Sequence, residues 1–175
     1  MVTHIIPLFF VVIYIVSLFN LISPLYNKTN SLKKKVMLLL RTFFVYGTLM
    51  TGCANHHVIG TAAIERIVPA KMQNVDLYMY YKSYFPCMIL GQGEVVGELI
   101  TIKEHVFEKI LARMDRLEGY LDRNNPKNFY DRVIMSAEDE QGEMVEAYCY
   151  LYNTDNGQLG EKIEDGDFKS YYKNT

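Results

Sequence analysis

A carboxylate taken out of water must be paired, protonated or put to use, and Glu118 occupies such a position. Val106, Phe107, Ile110, Leu111, Met114 and Leu117 recur at helical spacing. At about 100° per residue, with Phe107 at zero, Leu111 falls near about 40°, Met114 near about −20° and Glu118 near about 20°. Glu118 therefore sits in the middle of the apolar stripe, while Lys109, Ala112, Arg113 and Arg116 hold the opposite face, where a solubilising glutamate belongs. A glutamate in apolar surroundings has a raised pKa and can take and return a proton near neutral pH. Two inert readings stand beside this one. The helix could fray at Gly119 and turn Glu118 outward, or Arg116, Arg123 or Arg132 could neutralise it.

Other groups carry less chemistry. Cys53-x-x-His56-His57 has the look of a metal or thiol site, but no second Cys/His cluster completes a tetrahedral set, so no metal is expected. His4 and His105 are isolated. No phosphate loop, nucleophile elbow or dinucleotide fingerprint is present, and no cofactor is expected. The formal net charge is −2 and the basic residues gather on no predicted element, which argues against nucleic acid as a partner. Cys53, Cys87 and Cys149 are an odd number at irregular spacing, a pattern that fits a reducing compartment such as a cytoplasm better than a disulfide framework.

The elements that must position Glu118 are mostly strands. Runs at 42–46, 62–68, 74–81, 95–100, 130–137 and 144–152 read as β. The polar stretch 138–143, with its single Gly142, suits a hairpin loop between the last two. In the final strand Val145, Ala147, Cys149 and Leu151 alternate with Glu146, Tyr148, Tyr150 and Tyr152. That tyrosine ladder reads as the outward face of an amphipathic sheet, with a pocket wall as the alternative. Thr101-Ile102-Lys103-Glu104 has capping-box spacing and predicts the helix start, and Gly119 predicts its stop. A composition of 50% hydrophobic and 22% charged residues in 175 fits one globular domain, spanning 42–175.

Several ordered segments carry a resemblance to a known family. Tyr46-Gly47-Thr48-Leu49 at the end of the first strand resembles the opening motif of the gamma-glutamylcyclotransferase-like family. Asn55-His56, Tyr84-Phe85-Pro86 and Val96-Gly97-Glu98-Leu99 are similar to segments that follow it, and Met114 to Tyr120 resembles the stretch holding the family's acidic catalytic residue, at the position of Glu118. Tyr130-Asp131-Arg132, Tyr150-Leu151-Tyr152 and Gly166-Asp167-Phe168 continue the likeness, which covers about 43–171. Two positions depart from the pattern: Leu117 stands where an aromatic often precedes the glutamate, and Phe168 stands in place of tryptophan.

The resemblance implies a mixed α+β fold, a small and mostly antiparallel barrel-like sheet flanked by helices. It also implies an enzyme that converts a γ-glutamyl amine or γ-glutamyl amino acid to 5-oxoproline and free amine. Glu118 would be general base and then general acid. Tyr46, Gly47, Thr48 and Leu49 would hold the glutamyl head, with Tyr46, Tyr130 and Tyr152 as further candidate hydroxyl donors. The alternative is a non-catalytic small-ligand or interaction module on the same fold. Remaining weight falls on another amide-bond reaction such as hydrolysis.

The N-terminus stands apart. Residues 1–27 contain no Asp, Glu, Lys or Arg, and residues 5–22 form an apolar run of borderline length for a membrane span. A basic linker, 28–41, follows with Lys28, Lys33, Lys34 and Lys35, which would keep the domain on the cytoplasmic side of such an anchor. The competing reading is a working start at Met37, which leaves 139 residues, 175 less 36. An anchor predicts that the full chain sediments with membranes. Under either reading a chain beginning at Met37 should be soluble and melt cooperatively, and failure of that shorter chain to fold would make the apolar segment part of the core.

Overall fold

The computed structural model describes residues 41–174 apart from Lys82 and Gln158; the apolar segment and basic linker up to residue 40 lie outside the described residues. Strand β1, Thr42–Val45, is buried at every position, because it runs through the middle of the sheet and is covered on both faces. It pairs antiparallel with β3, Pro86–Ile102, placing Phe43 opposite Ile100. On its other side it lies parallel to β5, Met144–Tyr152, with Phe43 opposite Tyr148. β5 pairs with β4, Tyr130–Asp139, and β4 with β2, Ile64–Tyr80. Pairing of β2 with β3 closes the ring, so the order β3-β1-β5-β4-β2 forms a five-stranded barrel-like sheet with one parallel neighbour pair among the described residues. A short β6, Leu159–Lys162, extends the edge of β2. The expected mixed α+β, mostly antiparallel barrel is thus observed.

The two expected strands at 62–68 and 74–81 are one strand. Val68, Ala70 and Met72 are buried at even positions, then Val75, Leu77 and Met79 at odd ones. A β-bulge between Gln73 and Val75, with Asn74 at φ 62°, absorbs one residue and keeps both halves facing the core. The strand expected at 95–100 likewise forms the second half of β3. The β4–β5 hairpin is as expected, its loop held by Asp139 Oδ1, which accepts from the amides of Gln141 and Glu143 at 2.9 and 3.0 Å.

Helix α1, His56–Ile59, is a single turn, and α2, Phe107–Glu118, is the helix marked by the apolar stripe. The capping box is corrected by the structure. Thr101 belongs to β3, and its hydroxyl lies 3.0 Å from that of Thr42 across the β1–β3 pair. Pairing with β1 and β2 carries the strand to Ile102, so sheet formation overrides the local capping preference. A 3₁₀ turn at Glu104–Val106 then leads into α2, which has no side-chain cap at its start. Its end is as expected: Gly119 adopts φ 64°, the left-handed conformation that glycine takes without strain. The sequence reading missed β6 and also α3, Phe168–Asn174, which is capped by Asp167 Oδ1 accepting from the amides of Lys169 and Ser170. Among the described residues no helix is long and apolar enough to cross a membrane.

β1 and β3 approach closely at Gly97, where an added Cβ would collide with the Val45 carbonyl oxygen and lie 2.7 Å from Phe44 Cζ. Both contacts are with core groups that have nowhere to move, so Gly97→Ala should destabilise by about 1–3 kcal/mol. Thermal unfolding should show a midpoint lower by at least about 3 °C. An unchanged midpoint would mean that the strands separate there without cost.

Candidate active site

The chain leaves β1 at Tyr46 and turns across the end of the barrel. The loop is held from behind: Met50 N–H donates to Gly47 O, Asn55 N–H to Thr48 O, and His56 Nδ1 lies 2.9 Å from Leu49 O. Gly47 is required there by contact rather than by backbone freedom, since a Cβ would sit 2.6 Å from Pro86 Cγ. Thr51 ties the outer part of the loop down through its amide and hydroxyl, both donating to Glu98 Oε2, and Lys169 from α3 donates to Glu98 Oε1. Among the described residues no protein acceptor takes the amide protons of Gly47, Thr48 or Leu49. Asn55 Nδ2 donates to Thr48 Oγ1 at 3.0 Å, which occupies the hydroxyl as an acceptor and leaves its proton to donate elsewhere.

Residues Tyr46, Gly47, Thr48, Leu49 and Glu118 line one cavity of about 270 Å³, together with Asn55, Pro86 and Tyr130. All five sequence-predicted site residues are therefore brought together. Glu118 as a residue is half-buried, but its carboxyl is enclosed by protein, and burial pushes its pKa from 4.5 up to about 7. Its place on the last turn of α2, beside the carbonyl end of the helix, works in the same direction. Neither inert reading holds. Gly119 ends the helix without fraying it, and Arg132 Nη1 pairs with Asp115 Oδ2 at 2.6 Å instead of with Glu118. Arg116 and Arg123 are exposed.

Asp115 is the residue that sequence reasoning missed. It accepts from Arg132 on β4 and, at 2.8 Å, from the Tyr150 hydroxyl on β5, while Arg132 packs over the rings of Tyr120 and Tyr148. These contacts fasten the last turn of α2 to the barrel three residues before Glu118. The signal was available: by the same helical arithmetic Asp115 falls near about 80°, at the edge of the apolar stripe.

The tyrosine ladder is corrected in part. Tyr150 and Tyr152 are buried, and Tyr150 lines the cavity, so this end of β5 is a pocket wall and not an outward surface. The hydroxyl protons of the tyrosines near the site are committed: Tyr46 donates to Tyr150 O at 2.6 Å and Tyr130 to Pro86 O at 2.9 Å. Burial first, and then neighbouring acidic groups including Glu118, raise both phenols well above their ordinary value. They are neutral walls. The buried Tyr152 hydroxyl has no hydrogen-bond partner among the described residues and belongs to an aromatic cluster with Tyr80, Phe129 and Tyr130.

His56 and His57 both serve backbone carbonyls, and among the described residues no group of three His, Cys, Asp or Glu side chains is placed to hold a metal. What remains is a small cavity lined both by an unpaired carboxylate and by loop residues whose amide protons no described residue accepts. That arrangement can move a proton and hold an oxyanion.

A family model described as gamma-glutamyl cyclotransferase, AIG2-like, matches residues 43–170. A protein of Methanocaldococcus jannaschii that carries the provisional name gamma-glutamylcyclotransferase is 30% identical over 128 residues, 73% of this chain and 95% of that one. The gamma-L-glutamyl-butirosin B gamma-glutamyl cyclotransferase of Niallia circulans is 27% identical over 127 residues, covering 73% and 75% of the two chains. The crystal structure of an uncharacterized protein from Pyrococcus horikoshii shares the fold with a TM-score of 0.53 at 19% identity, over 77% of this chain and 94% of that one. The chain belongs to the gamma-glutamyl cyclotransferase, AIG2-like family of enzymes.

Proposed function

We propose that the enzyme converts a γ-glutamyl amine or γ-glutamyl amino acid to 5-oxoproline and free amine, with Glu118 as general base and then general acid. The observation that carries this reading is that the unpaired carboxylate of Glu118, its pKa raised by burial to about 7, and the loop residues Gly47, Thr48 and Leu49 line one small cavity. The α-amine of the glutamyl group attacks its own γ-carbonyl, and the proton it loses passes to Glu118. The tetrahedral oxyanion is held by loop amides, with the Thr48 hydroxyl as a further donor. As the C–N bond of the amide breaks, Glu118 returns the proton to the leaving nitrogen. No water is consumed, and nucleophile and electrophile lie in one molecule, so holding the folded-back conformation supplies much of the acceleration. The three cysteines, all unpaired, support action in a reducing compartment such as the cytoplasm.

Release of 5-oxoproline from a panel of γ-glutamyl amines and amino acids, read by mass spectrometry, tests the reaction. Glu118→Gln should lower turnover by about 10²- to 10⁴-fold, the share of a positioned proton transfer; undiminished turnover removes Glu118 from the mechanism. The same variant should be no less stable. Because the folded state raises this pKa, the native protein binds the proton more tightly than the unfolded chain, and stability falls as pH rises from 4.5 through about 7. That decline, up to about 3 kcal/mol, should be absent in Glu118→Gln when melting is followed across the range.

The pH dependence of kcat/KM gives an independent check. A basic Glu118 requires pH above about 7, and the ammonium form of the substrate is lost above about 8 or higher. The profile should be a bell with its acid limb near pH 7. An acid limb near 4.5 would mean that the catalytic base is a solvated carboxylate and not Glu118.

A further inference from the structure

At about 270 Å³ the cavity holding Glu118 lies at the small end of ligand pockets, which run from about 300 to 1,000 Å³. A glutamyl head fills it, and the amine it is joined to must project outward. Thr48 borders a second cavity of about 470 Å³ as well as the first. Two chain segments also pass from one to the other. The loop runs from Tyr46–Leu49 at the first cavity into Thr51–Ala54 at the second, and Tyr84 at the second directly precedes Phe85-Pro86 at the first.

The second cavity has a definite chemical character. Phe168 is buried beneath it, with the Tyr172 ring 5.9 Å from its own, centroid to centroid. Tyr84 and Tyr172 stand 81% and 59% exposed at its sides, large apolar surface left in water at the mouth of a site. Its cationic lining groups are Lys169, already paired with Glu98, and the exposed Lys173, with no carboxylate among the lining residues.

We infer that this second cavity is the leaving-group subsite, and that it selects amines carrying a bulky apolar or aromatic body and no positive charge. The inference rests on the cyclotransferase reading above. A flat apolar group laid between Tyr84 and Tyr172 gains burial and ring contacts. A cationic group in the same place meets Lys173, while Glu98 and Asp167, the acids near Cys53, are engaged by Lys169 and by the amides at the start of α3.

The test compares kcat/KM for 5-oxoproline release from γ-glutamyl-phenylalanine, γ-glutamyl-alanine, γ-glutamyl-norleucine and γ-glutamyl-lysine linked through its α-amine. The phenylalanine substrate should exceed the alanine one by at least about tenfold, and norleucine should exceed lysine, which has similar reach but carries a charge. Tyr172→Ala should shrink the phenylalanine-to-alanine ratio toward one, and Lys173→Glu should narrow the gap between norleucine and lysine. Equal kcat/KM for phenylalanine and alanine, or a ratio that Tyr172→Ala leaves intact, overturns the subsite while leaving the cyclotransferase reading in place. Lysine turned over as well as norleucine overturns the charge selection. No 5-oxoproline from any of the four substrates overturns the subsite, and the cyclotransferase reading falls with it if the γ-glutamyl amines of the wider panel also release none.

Discussion

Burial holds a carboxylate near neutrality inside a protein when no cation is paired with it to lower its pKa again, and Glu118 meets both conditions. The arginine that reaches the last turn of α2 is Arg132, and its partner is not Glu118. Asp115 takes that arginine, with Tyr150 completing its shell. The ion pair and the tyrosine anchor the helix to β4 and β5. One turn of helix thus carries two acids, one satisfied and one withheld from satisfaction.

Barrel closure makes the rest of the site from this. β1 is four residues long, but it sits between β3 and β5 and is buried throughout, so the loop that leaves it at Tyr46 starts from a fixed point. β3 carries Pro86 under Gly47 and Glu98 under Thr51, and β5 brings Tyr150 beneath Tyr46. Residues about 70 apart in sequence face each other because the strand that precedes the loop and those that anchor the helix belong to one closed sheet. The proposed ring closure would draw on this stiffness, since it depends on holding a short chain folded back on itself.

Much of this was legible beforehand, and the failures have physical reasons. The apolar stripe of α2 is a strong periodic signal, and a carboxylate within it stands out without any structure. The hairpin loop at 138–143 and the stop at Gly119 follow from local turn chemistry. Thr101 was misread because its hydroxyl could serve a helix start or a neighbouring strand, and only the tertiary pairing with Thr42 decides between them. The single long β2 read as two strands because a bulge at Asn74 reverses the phase of its alternation, which looks like an interruption in one dimension. β6 and α3 have 4 and 7 residues, too few for a period to show. The tyrosine ladder is divided by depth: Tyr148 is half-buried against Arg132, while Tyr150 and Tyr152 lie inside. Alternation alone carries no information on where along a strand the second face becomes covered.

Glu98 and Glu118 show how one barrel end treats two glutamates in opposite ways. Burial pushes the pKa of Glu98 up, yet Lys169 and the Thr51 amide and hydroxyl outweigh it and hold the carboxyl below its ordinary value. Its stabilising contribution is therefore present above the unfolded pKa and is lost as pH falls through the folded one. Glu118 is buried without such donors, and its contribution runs the other way, diminishing as pH rises toward 7. Divergence of this kind between neighbouring acids separates structural from chemical roles. The partnered carboxylate fixes the loop at the cavity, and the unpartnered one keeps a raised proton affinity, which the proposed reaction would use. Exchanging their surroundings would reverse both, because a paired Glu118 would lose its raised proton affinity and an unpaired Glu98 would release the loop.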